Sequence, residues 1–137
     1  MMDKISPQRR SENMRLIRSR DTKPELLVRS LVRQLGFRYR IQSRLPGKPD
    51  LVFTKKKRAI FVNGCFWHQH RNKRCFDSRI PKSNIDFWSP KLDKNVKRDK
   101  DNIKQLMKDG WCVLTIWECQ LKNPRRVSAR IGKFLSY

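Results

Sequence analysis

A cluster of cysteines and histidines constrains the fold of this chain more than any other feature of its sequence. Within residues 61–75 lie both histidines and two of the four cysteines of the chain. The members are Cys65, His68, His70 and Cys75, with Phe66 and Trp67 between them. The cluster follows an apolar run, residues 58–62, and Pro49-Asp50 opens a neighbouring apolar run. We therefore expect metal-ligating and acidic residues at adjacent strand ends.

The charge of the chain narrows the class of partner. Its 137 residues include 34 Lys and Arg against 12 Asp and Glu, a net charge of +22. This surplus favours binding to a polyanion, and nucleic acid is the expected partner, which makes nuclease chemistry the favoured interpretation of the cluster. No apolar run approaches the ~20 residues of a spanning helix, and no signal peptide is evident, so we expect no membrane association and a cytoplasmic, nucleoid-associated protein.

The length predicts about one domain, and the order of periodic segments predicts the α/β class. Residues 11–20 favour a short basic surface helix, and we expect residues 1–20 to form a basic arm before a single domain, 21–137. Thr22, Pro24 and Glu25 mark a helix start, and Gly36 marks its end. The apolar face of this helix is predicted to contain Leu26, Leu27, Leu31, Val32 and Leu35.

The remaining segments predict a mixed β-sheet flanked by helices. Residues 37–42 alternate as a half-buried strand, 45–49 form a turn, and 50–53 with 58–62 resemble a hairpin. A loop of about 25 residues follows, and so long a loop requires a ligand or staple. Residues 91–108 predict a helix, 111–117 a buried strand and 127–134 a last helix. The inner face of the second helix is predicted to contain Leu92, Val96, Ile103, Leu106 and Met107.

Cys65, His70, Cys75 and Cys119 form a candidate structural Zn²⁺ site. The first three lie in one loop with four residues between successive members, and Cys119 follows a predicted strand. Three thiolates and one imidazole are a usual closed tetrahedral set. In the alternative interpretation, Cys65 and Cys119 are small core residues and His70 lies on the surface. Cys112 alternates with packing residues and is expected to be a core thiol.

Asp50, Val62, Asn63, His68 and Glu25 form a second candidate site. A phosphodiesterase needs an acid that holds Mg²⁺ and a base that activates water. If residues 50–62 form a hairpin, the Asp50 carboxylate and the Val62 carbonyl oxygen can share one cation, with Glu25 beside its water shell. A histidine, with an ordinary pKa near ~6.5, suits proton transfer at neutral pH. The alternative is that Pro49-Asp50 belongs only to a turn and that Glu25 only caps its helix.

Three aromatic residues complete the candidates. Phe66, Trp67 and Trp88 lie in or beside the long loop, where they can wedge between DNA bases or fill the gap between loop and sheet.

Seven runs together resemble the very-short-patch repair endonucleases, the Vsr-type DNA mismatch nickases. The runs are Arg10-Ser11-Glu12-Asn13-Met14-Arg15; Arg20-Asp21-Thr22 with Glu25; Leu45-Pro46-Gly47-Lys48-Pro49-Asp50; Gly64-Cys65-Phe66-Trp67-His68; Phe87-Trp88; Lys94-Asn95-Val96 with Arg98-Asp99; and Trp117-Glu118-Cys119. They keep the family order over nearly the whole chain.

The resemblance implies a restriction-endonuclease-like fold and nicking of duplex DNA beside a T:G mismatch, leaving a 5′-phosphate and a 3′-hydroxyl. It implies a Mg²⁺ site at Asp50 and Val62, water held by Glu25, and action of His68 on the water or phosphate. It also implies Zn²⁺ at the cysteine and histidine set. The implied DNA contacts are the wedge of Phe66, Trp67 and Trp88, together with Arg15 in the arm and Lys94.

Two departures from the family pattern stand out. Asn63 replaces a family histidine, which places the proton transfer on His68, and Cys75 falls later than in the more compact family version.

Two other functions remain open, a nickase without mismatch selectivity and a non-catalytic zinc-stapled DNA-binding module. We further expect a monomer, because the lesion lacks two-fold symmetry, with a mismatch-repair coordinating protein as a possible partner.

Overall fold

The structure, a computed structural model, describes residues 22–41, 44–65, 68–70 and 85–136, with the backbone alone for 85–88. The elements are α1 (Lys23–Gln34), β1 (Leu51–Phe53), the 3₁₀ turn η1 (Thr54–Lys56), β2 (Arg58–Asn63), α2 (Ile85–Lys108), β3 (Cys112–Trp117), the 3₁₀ turn η2 (Glu118–Lys122) and α3 (Pro124–Leu135). They confirm the predicted mixed α/β arrangement. The predicted helix at 11–20 lies outside the described residues.

The three strands form one mixed sheet in the order β1-β2-β3. β1 pairs antiparallel to β2, with Leu51 opposite Ile60, and β2 pairs parallel to β3, with Val62 opposite Ile116. This topology brings the start of β1 and the ends of β2 and β3 to one edge of the sheet. The residues that precede β1 and follow β2 and β3 therefore meet there.

The segment 37–42 was predicted to be a strand. Its described residues, 37–41, do not form one and contribute a single bridge, between Arg40 and Val52, to the edge of β1. The neighbouring turn at 45–49 is confirmed, since the Lys48 N–H donates to the Leu45 carbonyl and Gly47 has a φ of 77°. A Cβ at Gly47 would lie 3.0 Å from the Cβ of Asn102 and 3.2 Å from the Phe61 ring, so this turn packs closely against α2 and β2.

Helix α1 begins and ends as predicted. The Thr22 hydroxyl accepts a hydrogen bond from the Glu25 N–H, Pro24 lies in the first turn, and Gly36 follows the C-cap with a φ of 87°. Its buried face is different from the predicted one. Leu26 is 49% exposed, whereas Glu25, Val28 and Arg29 are buried. Of the predicted apolar set, Leu31 and Val32 are buried, and Leu27 and Leu35 are exposed.

The main core fills the space between the sheet and the pair α1 and α3. Its buried members are Val28, Leu31, Val32, Leu51, Phe53, Ile60, Val62, Ile116, Leu121, Val127, Ile131 and Leu135. In β2 the alternate side chains Ile60 and Val62 join this core, so Phe61 faces the opposite side of the sheet. Phe61 and Asn102 both approach Gly47, which places α2 on that opposite side. The sheet is therefore covered by helices on both faces.

Two predictions about the second half of the chain need correction. Helix α2 begins at Ile85, six residues before the predicted start, and contains Pro90 in its interior. Its Leu92 and Leu106 are buried, but Met107 is 63% exposed. Cys112, predicted to be a core thiol, is exposed, because it is the first residue of β3 at the end of the sheet remote from the converging strand ends.

Candidate active site and metal centre

The edge of the sheet where the strand ends meet carries the acidic and histidine candidates. Asp50 lies immediately before β1, Asn63 ends β2, and the turn from Gly64 to His70 continues from β2. Glu25 lies in the first turn of α1, which packs on the same sheet. Residues far apart in the chain thus meet because of the strand pairing.

Asp50 is tied to the end of β2 by its side chain. The Val62 N–H donates to Asp50 Oδ2 over 2.6 Å, and the Asp50 N–H donates to the Ile60 carbonyl over 3.0 Å. Burial raises the pKa of Asp50 from 3.8 to about 7, against the lowering effect of the Val62 hydrogen bond. Glu25 raises this pKa further, while His68 and Arg29 lower it. All three charged side chains therefore lie within electrostatic reach of Asp50.

The orientation of Val62 brings its carbonyl oxygen to the same side as Asp50. In a β-strand the N–H and C=O groups of one residue point towards the same neighbouring strand. Because the Val62 N–H reaches Asp50, its C=O faces the β1 side of the sheet. A carboxylate and a backbone carbonyl are thereby directed into one region.

Glu25 is buried and ion-paired within its own helix. Arg29 Nη2 lies 3.4 Å from Glu25 Oε2, one turn further along α1, and both side chains are buried. The pair lies within electrostatic reach of Asp50. Arg29 did not figure among the residues predicted for the site.

His68 forms a hydrogen bond that the sequence interpretation missed. Its Nδ1 lies 2.5 Å from Oδ2 of Asp99 on α2, and the two side chains are 30% and 25% exposed. A carboxylate only accepts hydrogen bonds, so Nδ1 carries a proton, and in the neutral imidazole Nε2 then keeps its lone pair. A sequence signal for Asp99 exists. The spacing of Leu92, Val96, Ile103 and Leu106 leaves 99 on the same helix face, where an acid is out of place.

Asn63, at the position of a family histidine, is the last residue of β2 and is buried. Its side chain lies on the face of the sheet that carries Phe61, which is the face covered by α2. It therefore lies on the same side of the sheet as Asp99.

The second cluster brings together three of the four predicted zinc ligands. His70 Nδ1 lies 3.8 Å from Cys65 Sγ and 3.3 Å from Cys119 Sγ, and all three ligand atoms lie within 4.8 Å of one another. Ligands of tetrahedral Zn²⁺, at bond lengths of about 2.0–2.3 Å, lie roughly 3.5–3.8 Å apart. The arrangement can therefore hold a metal ion. Cys75, the predicted fourth ligand, lies outside the described residues.

The surroundings of this cluster favour metal binding. The Cys119 N–H donates to Cys65 Sγ over 3.4 Å, a contact that stabilises a thiolate. The His70 ring stacks on Trp117, with centroids 4.3 Å apart and planes at 12°. Burial lowers the pKa of His70, which favours the neutral imidazole that a metal ligand requires.

The structure places few of the predicted DNA contacts. Lys94 is exposed on α2, one to two turns before Asp99. Trp88 lies in the first turn of the same helix, and only its backbone is described. Arg15, Phe66 and Trp67 lie outside the described residues. In the described part of the chain, none of the helices is both long and apolar enough to span a membrane.

Comparison with known proteins agrees with the resemblance in the motifs. Residues 2–74 match the family described as DNA mismatch endonuclease Vsr. The type II nicking enzyme V.XorIIP of Xanthomonas oryzae pv. oryzae is 41% identical over 136 residues, which cover 98% of each chain. The type II nicking enzyme V.NmeAIP of Neisseria meningitidis is 43% identical, over 98% of this chain and 95% of the relative. The DNA mismatch endonuclease Vsr of Escherichia coli is 41% identical over 120 residues, which cover 87% of this chain and 75% of the relative. The chain therefore belongs to the Vsr family of DNA mismatch endonucleases and is a DNA-cleaving hydrolase.

Proposed function

We propose that the protein is a Mg²⁺-dependent endonuclease that nicks one strand of duplex DNA beside a T:G mismatch, the product of 5-methylcytosine deamination. The observation that carries the proposal is the convergence at one sheet edge of the Asp50 carboxylate and the hydrogen-bonded pair His68 and Asp99. A buried acid beside a polarised imidazole supplies the two functions that phosphodiester hydrolysis needs, cation binding and proton transfer. An acid at the start of a strand in a mixed sheet also supports a restriction-endonuclease-like fold.

The donor groups at this edge fit Mg²⁺. The Asp50 carboxylate and the Val62 carbonyl are hard oxygen donors on the same side of β2, and Glu25 would hold the water shell of the ion. Without a cation, burial keeps the pKa of Asp50 near 7, and a nearby positive charge favours the ionised ligand. When bound, the ion would supply stabilisation of the charge that develops on the scissile phosphate.

The residues of the chain would divide the remaining chemistry between them. Asp99 holds the Nδ1 proton of His68, which orients the ring and leaves Nε2 to accept a proton from the attacking water. Asn63 takes no part in proton transfer, because an amide does not titrate near neutral pH. It would hold the phosphate or its water by hydrogen bonds.

We also propose that Cys65, His70, Cys75 and Cys119 hold a structural Zn²⁺ ion. The support is the approach of the three described ligand atoms and the N–H donated to Cys65. A closed site of this kind would fix the turn that carries His68 to the end of β3.

Selectivity for the mismatch would come from the aromatic residues Phe66, Trp67 and Trp88. A wobble pair is unstacked more easily than a matched pair, so a wedge opens it at lower cost. Residues 1–20, with Arg15, would form an arm around the duplex, and Lys94 would contact a phosphate. We expect a monomer that acts at the nucleoid, in concert with a mismatch-repair coordinating protein.

A second candidate function is nicking without mismatch selectivity. The similarity to two type II nicking enzymes is consistent with it.

The proposed activity can be tested with a labelled T:G duplex and the matched T:A duplex, each with and without Mg²⁺. We expect nicking of the T:G duplex alone, and only with Mg²⁺. Equal nicking of both duplexes would establish the unselective nickase instead. Binding without nicking of either duplex would refute the proposed activity.

Replacement Asp50→Asn tests the proposed metal ligand. Asparagine keeps an acceptor for the Val62 N–H but removes the charge, so we expect nicking to be lost while DNA binding is retained.

The folding of the variant can be checked through the pH dependence of its stability. With EDTA present, wild-type stability falls between about pH 4 and pH 7, because the pKa of Asp50 rises from 3.8 to about 7 on folding. Thermal melts should show a stability advantage of Asp50→Asn that grows over this range and stays constant above it. Retained nicking by Asp50→Asn would refute the assignment of Asp50 as a metal ligand.

The pairing of His68 with Asp99 is tested by single-turnover nicking. We expect His68→Ala to slow cleavage by roughly 10²–10⁴-fold, and Asp99→Asn to cause part of that loss, because the ring loses its orientation. DNA affinity should change little in either variant. Asp101→Asn, an exposed position on the same helix, is the matched control and should cleave like the wild type. If His68→Ala lowers binding as much as cleavage, His68 is a phosphate contact.

The zinc site is tested by elemental analysis of the purified protein. We expect one Zn²⁺ per chain, lost in Cys119→Ser, with a lower melting temperature because the metal contributes to folding. Cys112→Ser is the matched control, since Cys112 is exposed at the other end of the same strand, and it should retain zinc and stability. An equal zinc content in both variants would exclude Cys119 as a ligand.

A further inference from the structure

Helix α1 buries two charged side chains and leaves two leucines exposed. Leu26 and Leu27 are 49% and 37% exposed, whereas Glu25 and Arg29 are 6% and 8% exposed. Glu25 and Arg29 are four residues apart, so they share the face that also presents Val28 and Val32 to the core.

Stability does not explain why α1 buries Glu25 and Arg29 instead of leucine side chains. A buried ion pair gains little over apolar residues of similar volume, because the removal of two charges from water offsets their attraction. Departures from hydrophobic patterning of this kind concentrate at functional sites. The pair lies at the N-terminal end of α1, close to the strand edge that carries Asp50.

We infer that Arg29 is a positioning residue of the proposed metal site, which holds the Glu25 carboxylate in place and counterbalances the acids when no cation is bound. The inference rests on the proposed function. Its geometric basis is the 3.4 Å contact between Arg29 Nη2 and Glu25 Oε2 and the burial of both side chains. The guanidinium keeps its charge at every working pH and presents fixed donors, so it both orients and neutralises.

Both charges of this pair also lie within electrostatic reach of Asp50. Glu25 and Asp50 would otherwise repel each other across a poorly solvated site. A fixed positive charge at this position relieves the repulsion before a cation arrives.

This role has two opposite consequences for a divalent cation. The positive charge of Arg29 repels the cation and weakens its binding, whereas the fixed Glu25 carboxylate favours the productive arrangement of water. Loss of Arg29 should therefore tighten cation binding and slow cleavage. A residue with a purely structural role would weaken both.

The test measures Mn²⁺ binding to the DNA-free protein by electron paramagnetic resonance, together with single-turnover nicking at saturating metal. We expect Arg29→Met to bind Mn²⁺ roughly 3- to 30-fold more tightly, since a nearby like charge is removed, and to nick at least tenfold more slowly. Arg29→Lys keeps the charge and should bind Mn²⁺ as the wild type does, with part of the nicking rate restored. Arg33→Met, an exposed arginine one turn further along α1, is the matched control and should change neither quantity.

A double variant guards against misfolding of Arg29→Met, which leaves the Glu25 carboxylate buried without this partner. In Glu25→Gln/Arg29→Met both charges are removed, and we expect its nicking rate to equal that of Glu25→Gln alone, because Arg29 acts through Glu25. Equal Mn²⁺ affinity in wild type and Arg29→Met, or additive losses of rate in the double variant, would overturn the inference. Failure of the proposed function looks different, since the wild type itself would then bind no Mn²⁺ and would not nick.

Discussion

The hydrogen bond from the Val62 N–H to the Asp50 carboxylate is the contact on which the candidate active site depends. It fixes the start of β1 against the end of β2, beyond the last pair of the antiparallel ladder. Because burial raises the pKa of Asp50, this N–H is one of the few groups that favour its ionised form without a metal. The Val62 carbonyl faces the same neighbouring strand as its N–H. The strand pairing therefore brings together the two groups that the proposed metal site needs.

Charge balance around Asp50 explains the unusual face of α1. Glu25 and Asp50 lie near each other at this edge, in addition to the Asp99 that bonds to His68, in a protein whose net charge is +22. Among the described residues, Arg29 and His68 are side chains that favour the ionised form of Asp50. A helix that presented leucine instead of Glu25 and Arg29 would pack well but leave Asp50 alone at the edge. The exposure of Leu26 and Leu27 to solvent is a consequence of this arrangement.

The sequence predicted the parts that depend on local chemistry and on the resemblance. Capping at Thr22, the paired strands around 54–57, and the meeting of Asp50 with Val62 followed from turn and strand signals. Asp99 was missed although it lies on the apolar face of α2, because its partner His68 is apparent only from the packing of α2 on the sheet. The buried face of α1 was predicted wrongly because helical periodicity places leucines inside and charged residues outside, whereas the structure buries Glu25 and Arg29. Cys112 was misplaced because alternation along β3 does not reveal where a strand leaves the core.

His68 and His70 are only two residues apart in the chain, yet they belong to different candidate sites. His68 bonds to Asp99, whereas His70 meets Cys65 and Cys119. Gln69 between them adopts a left-handed conformation with a φ of 50°, which an extended or helical segment would not require. Hydrogen bonds from His68 N–H to Gly64 and from His70 N–H to Cys65 close this turn. This turn places one imidazole beside Asp99 and the other beside the sulfurs, so a metal ion held by the cysteine cluster would also fix the position of His68.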